Sequence, residues 1–298
     1  MPFWSRRKDK TKVQRPADGD KTAPLDPSTL PPAPTAPALL TAQHLTIGAA
    51  QSTGVERSHN EDAIFLFHGT SSGELEMQDF GLFVVADGMG GHRAGEVASA
   101  LSIRTVARRL MSEAFLHLLD LEPARDQPSQ LEMVRSALEE ANLAVVDKVP
   151  GGGTTLTATV LIGHQITVGH VGDTRAYLIT NGEAQPITRD HSLVRRLEEL
   201  GQLTPQEAEA HPQRNVLYRA IGQGANLEVD VSTHRIPPGG TLLLCSDGLW
   251  SVVPDPDIFR IVRENPSPQT ACEELIKAAN DAGGPDNISA ILVRFPPD

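Results

Sequence analysis

The sequence predicts an α+β protein in which antiparallel β-sheets pack together under a cover of α-helices. Three observations carry this prediction. Two long stretches have the 3.6-residue period of amphipathic helices, many short apolar runs have strand length, and tight turns join several of these runs. Strands joined by tight turns pair antiparallel, and the apolar faces of sheets need further layers to cover them.

Eight apolar runs have the length and the flanking turn residues of strands. Over 155–162, threonine alternates with apolar residues at the period of two that a strand requires. Gly163-His164 and Asn181-Gly182 read as turns, and Asn-Gly is a strong hairpin signal. The predicted strands are 62–67, 83–86, 156–162, 165–171, 176–179, 227–234, 241–245 and 288–295.

Helices are predicted at three main places. The first begins near His92, the second covers about 129–147, and a third covers 268–282. Shorter helices are expected over 192–200 and after Thr204, which has the pattern of an N-cap. The apolar face of the first helix is predicted to hold Ala94, Val97, Ala98 and Leu101; that of the second, Leu131, Val134, Leu138, Ala141 and Val145.

Residues 1–42 differ in composition from the rest of the chain. Basic residues crowd positions 6–15, and a proline-rich run follows at 30–37. A segment so poor in apolar residues cannot bury enough surface to fold alone. We therefore predict a disordered, basic and proline-rich tail over 1–42, serving as a linker or a partner-docking segment, and a folded domain over 43–298.

Charge and hydropathy exclude several classes of function. The formal net charge of -12 argues against non-specific nucleic-acid binding. No stretch is apolar enough to span a membrane, and no secretory signal is visible, so we expect a cytoplasmic protein without membrane insertion. Cys245 and Cys272 fit no zinc or redox pattern and are expected to be buried, reduced thiols.

Acidic residues stand where predicted strands leave the core. The run Phe83–Ala86 ends at Asp87, which is followed by the glycine-rich stretch 88–91, and the same design recurs at Asp247 and, as a variant, at Asp173. Further acidic residues lie in turns, namely Glu61, Asp62 and Asp286. Any one of them alone reads as a turn signal, but the set suggests a shared site.

A shared carboxylate site implies a bound cation. Carboxylates gathered out of water repel one another unless a cation lies between them. Oxygen ligands suit Mg2+ or Mn2+, and no His/Cys cluster in the sequence favours zinc. We therefore predict that the strand ends converge on one metal site.

Six motifs, in order, resemble those of the metal-dependent protein phosphatase family, protein phosphatase 2C, in its bacterial branch. The resemblance runs from about Thr46 to Arg294. The motifs are Arg57-x-x-Asn60-Glu61-Asp62, Val85-Ala86-Asp87-Gly88-Met89-Gly90-Gly91, Gly153-Thr154-Thr155, Val171-Gly172-Asp173-Thr174-Arg175, Ser246-Asp247-Gly248-Leu249-Trp250 and Gly284-Pro285-Asp286-Asn287.

The resemblance implies a β-sandwich of two antiparallel sheets flanked by α-helices, with a two-metal centre at one end. It implies hydrolysis of phosphoserine and phosphothreonine in proteins by a metal-bridged hydroxide, with Mn2+ or Mg2+ as cofactor. The expected partners are phosphorylated proteins, above all a bacterial-type Ser/Thr kinase and its targets. A phosphorylated anti-sigma antagonist is an alternative substrate. A monomer is expected.

The resemblance also implies a role for each matching residue. Asp87 would bridge the two metals, Gly88 would offer its carbonyl and Glu61 would bind one metal. Asp247 and Asp286 would bind the other, and Asp173, with or without Asp247, would hold a weaker third ion. Asp62 and Asn287 would support the ligands. Arg57 would bind the substrate phosphate, with a salt bridge to Glu61 or Asp62 as the alternative reading.

Two positions depart from many relatives. Met89 stands where many eukaryotic members have a histidine proposed as general acid, so protonation by water is the alternative. Ser251 replaces an aspartate, which weakens the expected third-metal shell. The segment of about 190–223 matches the family's flap beside the cleft, and its arginines would meet substrate phosphate or form a solvated face: Arg195, Arg196, Arg214 and Arg219.

Two other functions compete with this interpretation. A dinucleotide-binding fold, prompted by the glycines after Asp87, fails because Arg93 stands at the third glycine position and the predicted middle strands are antiparallel. A catalytically inactive phosphatase-like module that binds phosphoproteins is the second alternative, and the intact acidic set argues against it.

Overall fold

Two five-stranded sheets and one short ribbon form the framework of the protein. The computed structural model describes residues 44–71, 77–90, 93–119, 128–180 and 182–297. Its strands are β1 Thr46–Ser52, β2 Ala63–Gly69, β3 Phe80–Ala86, β4 Gly88–Gly90, β5 Gly152–Thr154, β6 Leu156–Ile162, β7 Gln165–Val171, β8 Arg175–Ile179, β9 Ala184–Pro186, β10 Asp230–Arg235, β11 Thr241–Cys245 and β12 Ile288–Arg294.

Every pair of neighbouring strands is antiparallel. One sheet has the order β1-β12-β11-β8-β9, the other has the order β10-β7-β6-β3-β2, and β4 pairs with β5 in the ribbon. The hairpin predicted between β8 and β9 forms, because Ile179 pairs with Ala184. The predicted antiparallel α+β sandwich is therefore confirmed.

The two large sheets pack face to face, and alternate residues of each strand point to opposite layers. On β3, Phe83 and Val85 face Leu242 and Leu244 of β11 in the core between the sheets. Leu82 and Val84, the neighbours of Phe83, belong to the core under the helices. Because both faces of β3 are buried, the strand is a continuous apolar run rather than an alternating one.

Helices cover the outer face of each sheet. α1 and α2 lie on the sheet that contains β3 and β6, and α5, α6 and α7 lie on the sheet that contains β11 and β12. α1 continues into a π-helical turn over Met111–Phe115 and a 3-10 turn over Leu116–Leu119. The helices are α1 Ala94–Leu110, α2 Gln130–Lys148, α3 Leu193–Glu199, α4 Pro205–Glu209, α5 Asp247–Trp250, α6 Asp255–Glu264 and α7 Pro268–Asp281.

The predicted helix faces are partly wrong. Val97 is 47% exposed and Leu131 is 39% exposed, although both were expected in the core. On α1, the buried face instead includes Gly95, Ser99 and Ser102, small residues that hydropathy does not mark as core. Gly95 and Ser99 are buried because α1 passes close to the backbone of Gly88 and Glu61 there, where larger side chains do not fit.

Some elements of the structure were not predicted from the sequence. β1, α6 and the β4–β5 ribbon were not predicted, and β10 begins at Asp230 rather than at 227. The predicted tail over 1–42, the residues Gly91 and His92, and Asn181 of the hairpin turn lie outside the described residues. Cys245 and Cys272 are buried and unpaired, as expected. No helix in the described ranges combines the length and hydropathy needed to cross a membrane.

Removal of a side chain between the sheets tests this packing. Leu244 is fully buried there, so we expect Leu244→Ala to lower the free energy of unfolding by about 2–5 kcal/mol through lost burial and a residual cavity. Leu143→Ala is the control, because Leu143 is 52% exposed on α2, and its effect should stay within about 0.5 kcal/mol. Chemical denaturation measures both, and equal effects would contradict the sandwich core.

Candidate metal centre

The carboxylate of Asp87 projects from the end of β3, where its backbone is held on both sides. The Asp87 amide donates to Thr155 Oγ1 at 2.9 Å. The Asp87 carbonyl accepts from the Thr155 amide at 2.9 Å and from Thr154 Oγ1 at 2.8 Å. Both threonines are buried. The Gly-Thr-Thr motif therefore fixes the backbone that carries the central carboxylate.

Glycines let the start of α1 approach the Glu61 loop. A Cβ at Gly88 would lie 2.4 Å from the Gly95 carbonyl oxygen and 2.6 Å from that of Glu61, so no side chain fits there. The Gly88 amide and Ser99 Oγ both donate to the Glu61 carbonyl, at 3.2 and 2.6 Å. A Cβ at Gly95 would lie 3.0 Å from Glu61 Oε2. These small residues bring the Glu61 carboxylate beside the Asp87–Gly88 turn.

Asn287 ties the Glu61 loop to the start of β12. Its Oδ1 accepts from the Glu61 amide at 2.7 Å, and its Nδ2 donates to the carbonyls of Thr53 and His59, both at 2.9 Å. The residue is only 4% exposed. Because the amide side chain satisfies three backbone groups, it holds two segments that are more than two hundred residues apart in the chain.

Asp62 has one carboxylate oxygen paired and one left without a partner. Its Oδ2 accepts from Ser246 Oγ at 2.8 Å and from Ser289 Oγ at 2.6 Å. Its Oδ1 is buried without a hydrogen-bond partner in the described structure, and so is Oδ1 of Asp247. Buried carboxylate oxygens without donors are costly, and they are the atoms that a cation or its bound water would satisfy.

The carboxyl groups at this end of the sandwich perturb one another. Burial, and then the charges of neighbouring carboxylates, raise the pKa of Asp87 and that of Asp173 well above the ordinary value. Burial is also the main cause that raises the pKa of Asp62 to about 7 and that of Asp247 to about 6. The cluster is thus short of positive charge.

Arg57 and Asp286 meet at the edge of this cluster. Arg57 Nη2 donates to Asp286 Oδ2 at 2.6 Å, and the Arg57 side chain is 51% exposed. The alternative partners considered from the sequence, Glu61 and Asp62, are wrong, because the ion pair forms with Asp286 across 229 residues of chain. Glu61 Oε1 instead lies 3.3 Å from His59 Nε2.

The structure thus brings the sequence-predicted acidic residues to one end of the sandwich. The charges of Asp62, Asp173, Asp247 and Asp286 all act on Asp87. No three His, Cys, Asp or Glu side chains in the described ranges are grouped tightly enough to hold an ion by themselves. The Gly88 carbonyl and water would have to complete any coordination shell. An all-oxygen donor set of this kind fits Mg2+ or Mn2+.

Sequence reasoning missed several residues that support the site. Ser99, Ser289 and Gly95 were not singled out, and Ser246 and Thr155 were noted only as motif letters. The position of Ser246 directly before Asp247 could have marked it as a supporting residue. The local sequence around Ser99 and Ser289 does not predict their role, because the role depends on hydrogen bonds to residues distant in the chain. Ser99 bonds the Glu61 carbonyl, and Ser289 bonds the Asp62 carboxylate.

Arginines of the segment 190–223 have nearby acidic partners. Arg195 pairs with Glu198 and Arg196 with Glu199, both on α3. Arg219 pairs with Glu228 and Asp230, and its side chain is only 19% exposed. This pattern favours the structural interpretation of these three arginines over phosphate binding.

Comparison with known proteins identifies the family. The protein-family model for protein phosphatase 2C matches residues 47–200 and 226–288. The serine/threonine phosphatase stp of Listeria welshimeri is 36% identical over 245 residues, covering 80% of this chain and 91% of the relative. The serine/threonine protein phosphatase PstP of Mycobacterium tuberculosis is 36% identical over 251 residues, covering 83% of this chain and 44% of the longer relative.

Solved structures agree with the sequence matches. The crystal structure of the Mycobacterium tuberculosis phosphatase PstP/Ppp superposes with a TM-score of 0.71 at 32% identity, covering 85% of this chain and 99% of that chain. The catalytic domain of PstP in complex with two manganese ions superposes with a TM-score of 0.67 at 33% identity, covering 84% and 97%. Sequence motifs, fold and site geometry agree, and the chain therefore belongs to the protein phosphatase 2C family, in its bacterial branch.

Proposed function

We propose that the carboxylate cluster at the ends of β3 and β11 is the catalytic centre of a metal-dependent protein-serine/threonine phosphatase. The observation that carries this proposal is the pair of buried oxygens without donors, Asp62 Oδ1 and Asp247 Oδ1, within a cluster whose pKa values are raised. Family membership supports the reaction, since bacterial relatives are named serine/threonine phosphatases.

Two Mn2+ or Mg2+ ions fit the donor set. Asp87 would contact both ions, the Gly88 carbonyl and Glu61 would complete one site, and Asp247 and Asp286 the other. Asp173 would hold a weaker third ion. Two manganese ions bound to the PstP catalytic domain support this number. When bound, such ions make water a nucleophile at neutral pH and offset the charge that develops on the phosphoryl group.

Arg57 is the residue suited to bind the substrate phosphate. Its guanidinium is half exposed at the edge of the cluster, and one of its N–H groups is held by Asp286. The planar fork has five N–H donors, so donors beyond the one held by Asp286 could bind a ligand that carries three terminal oxygens. The Asp286 contact would orient the fork, and Asp286 would also be one of the residues that hold the metal.

Asp62 and Asn287 act as supports. The two serine hydroxyls that donate to Asp62 Oδ2 fix the plane of this carboxylate, and they leave Oδ1 to accept a hydrogen bond from water in the cluster. Asn287 holds the backbone of Glu61. The β4 residues Gly88, Met89 and Gly90 have no titratable side chain. The proton for the leaving serine or threonine alkoxide is thus expected to come from water rather than from this strand.

The biological role follows from the family context. We expect phosphorylated proteins as substrates, and a bacterial-type Ser/Thr kinase and its targets as the source of the phosphate groups. We propose that the protein acts in the cytoplasm as a monomer. Its net charge of -12 supports the expectation that nucleic acid is not a partner.

The direct test measures hydrolysis of a phosphothreonine peptide with and without Mn2+, in the wild type and in Asp87→Asn. We expect Mn2+-dependent turnover that falls by about 1000-fold or more in the variant, because the ligand common to both ions is lost. Asp257→Asn, in an exposed ion pair on α6, is the matched control and should keep its activity. A folded wild type without activity in any divalent metal would favour the inactive phosphoprotein-binding module.

Metal-free stability tests the ligand role of Asp247 without an activity assay. Its folded pKa of about 6 exceeds the ordinary 3.8, so its contribution to stability is present at low pH and is lost as pH rises from about 4 to about 6. We expect Asp247→Asn to stabilise the metal-free protein at pH 7.5 by about 1–3 kcal/mol, since a charge that is buried, and then repelled by Asp286, is removed. The same change should abolish most of the stabilisation by Mn2+. A variant that is destabilised and still responds to Mn2+ would contradict the assignment.

Arg57 should affect substrate binding more than the chemical step. We expect Arg57→Ala to lower kcat/KM for a phosphopeptide by about 10–100-fold, mostly through KM, because a charge-assisted hydrogen bond contributes about 1.5–3 kcal/mol. Arg260→Ala, which removes an exposed arginine from α6, should leave the kinetics unchanged. If KM is unaltered in Arg57→Ala, then Arg57 serves only to hold Asp286.

A further inference from the structure

Val55 is an exposed apolar residue that stands two positions before Arg57. Its side chain is 67% exposed, the highest value for a large apolar side chain in the described ranges. It also joins none of the three apolar clusters that those ranges form. The packing of the fold therefore does not account for an apolar residue at this position.

The backbone that carries Val55 is fixed to the loop before β12. The amides of Val55 and Glu56 both donate to the Gly284 carbonyl, at 2.8 and 3.1 Å. Gly54 has a φ of +80°, and a Cβ there would lie 2.1 Å from the Asp286 carbonyl oxygen, so this close approach requires glycine. The exposed valine is thus presented from a rigid position rather than from a loose loop.

The Val55 side chain lies beside the residues that hold Arg57. A Cβ at Gly284 would lie 2.9 Å from Val55 Cγ2, and Arg57 pairs with Asp286, two residues further along the same loop. Pro285, between them, is exposed, and its ring restricts the backbone there. Val55 and Pro285 form an exposed apolar surface next to the Arg57–Asp286 ion pair, which we call the apolar rim.

The spacing of the apolar rim from Arg57 matches the spacing of residues in a bound peptide. Consecutive Cα atoms are about 3.8 Å apart, so Gly284 and Asp286 are separated by at most about 7.6 Å. An extended peptide advances about 3.3 Å per residue. When Arg57 holds the phosphate, the side chain two positions from the phosphorylated residue would therefore reach the apolar rim.

We propose that the apolar rim makes the enzyme selective for phosphoproteins with an apolar side chain two positions from the phosphorylated serine or threonine. The inference rests on the proposed phosphatase function and names the class of substrate segment. Contact between the rim and such a side chain removes apolar surface from water, and a preformed surface loses little conformational freedom on binding. Glu56, exposed on the same loop, would repel an acidic residue at this place.

Three phosphothreonine peptides that differ only at the two positions −2 and +2 test the proposal. These positions hold leucine, serine or aspartate, and kcat/KM is measured with Mn2+ on the full-length protein. In the wild type we expect kcat/KM for the leucine peptide to exceed that for the serine peptide by about 10-fold, which corresponds to about 1.4 kcal/mol. The aspartate peptide should be the poorest substrate.

Substitutions at Val55 should change this ratio. We expect Val55→Ser to lower the leucine-to-serine ratio to about 2 or less, because the apolar contact is lost, and Val55→Ile to keep it. The ratio between two peptides is insensitive to any change that affects all substrates alike. Leu143→Ser is the matched control, since Leu143 is 52% exposed on α2, and it should leave the ratio unchanged.

The outcomes separate this inference from the proposed function. Loss of the leucine preference in Val55→Ser, but not in Val55→Ile or Leu143→Ser, supports the apolar rim. Equal kcat/KM values in the wild type, or an unchanged ratio in Val55→Ser, overturn the rim and leave the phosphatase function standing. A folded wild type that hydrolyses none of the peptides overturns the function. Fluorescence polarisation then measures binding of the same peptides, and equal affinities overturn the rim as well.

Discussion

Repulsion among carboxylates at one end of the sandwich is the constraint on which the rest of the structure depends. Asp87, Asp173 and Asp247 are buried at this end, where burial and then the charges of neighbouring carboxylates raise the pKa of each. Such an arrangement persists only if the surrounding fold supplies the stability. The close-packed core between the sheets, with Phe83 and Leu244 fully buried, is where that stability originates.

Hydrogen bonds to the backbone fix the predicted ligand residues relative to the stable sheets. Thr155 forms hydrogen bonds with both the amide and the carbonyl of Asp87. Asn287 forms hydrogen bonds with three backbone groups around the Glu61 loop. Gly88 and Gly95 let these segments approach more closely than any side chain allows. A site that must keep carboxylates near one another needs such supports, because a loose shell would let them relax apart.

The arginines near the cluster pair with carboxylates at its edge. Two arginines lie at the edges of the cluster region, Arg57 on Asp286 and Arg175 on Asp190. In the described structure the ion pairs of these two guanidinium groups are with Asp286 and Asp190, not with Asp87 or Asp247. An arginine paired with Asp87 would lower the pKa of that residue and also compete directly with the metal.

The sequence by itself determined the fold class, the family and the identity of the acidic residues. Asp87 and Asp247 each follow an apolar run and precede a glycine, and Asp173 is a variant of this design. The six family motifs in order, of which these are three, are specific. The tertiary structure alone decided the partners. Arg57 pairs with Asp286 from 229 residues away, Val97 points outward although its spacing placed it inside, and Arg175 joins three segments at one point. The local hydrophobic period predicts which residues are buried. Contacts between residues distant in the chain depend instead on how the sheets and helices pack, which no local stretch of sequence specifies.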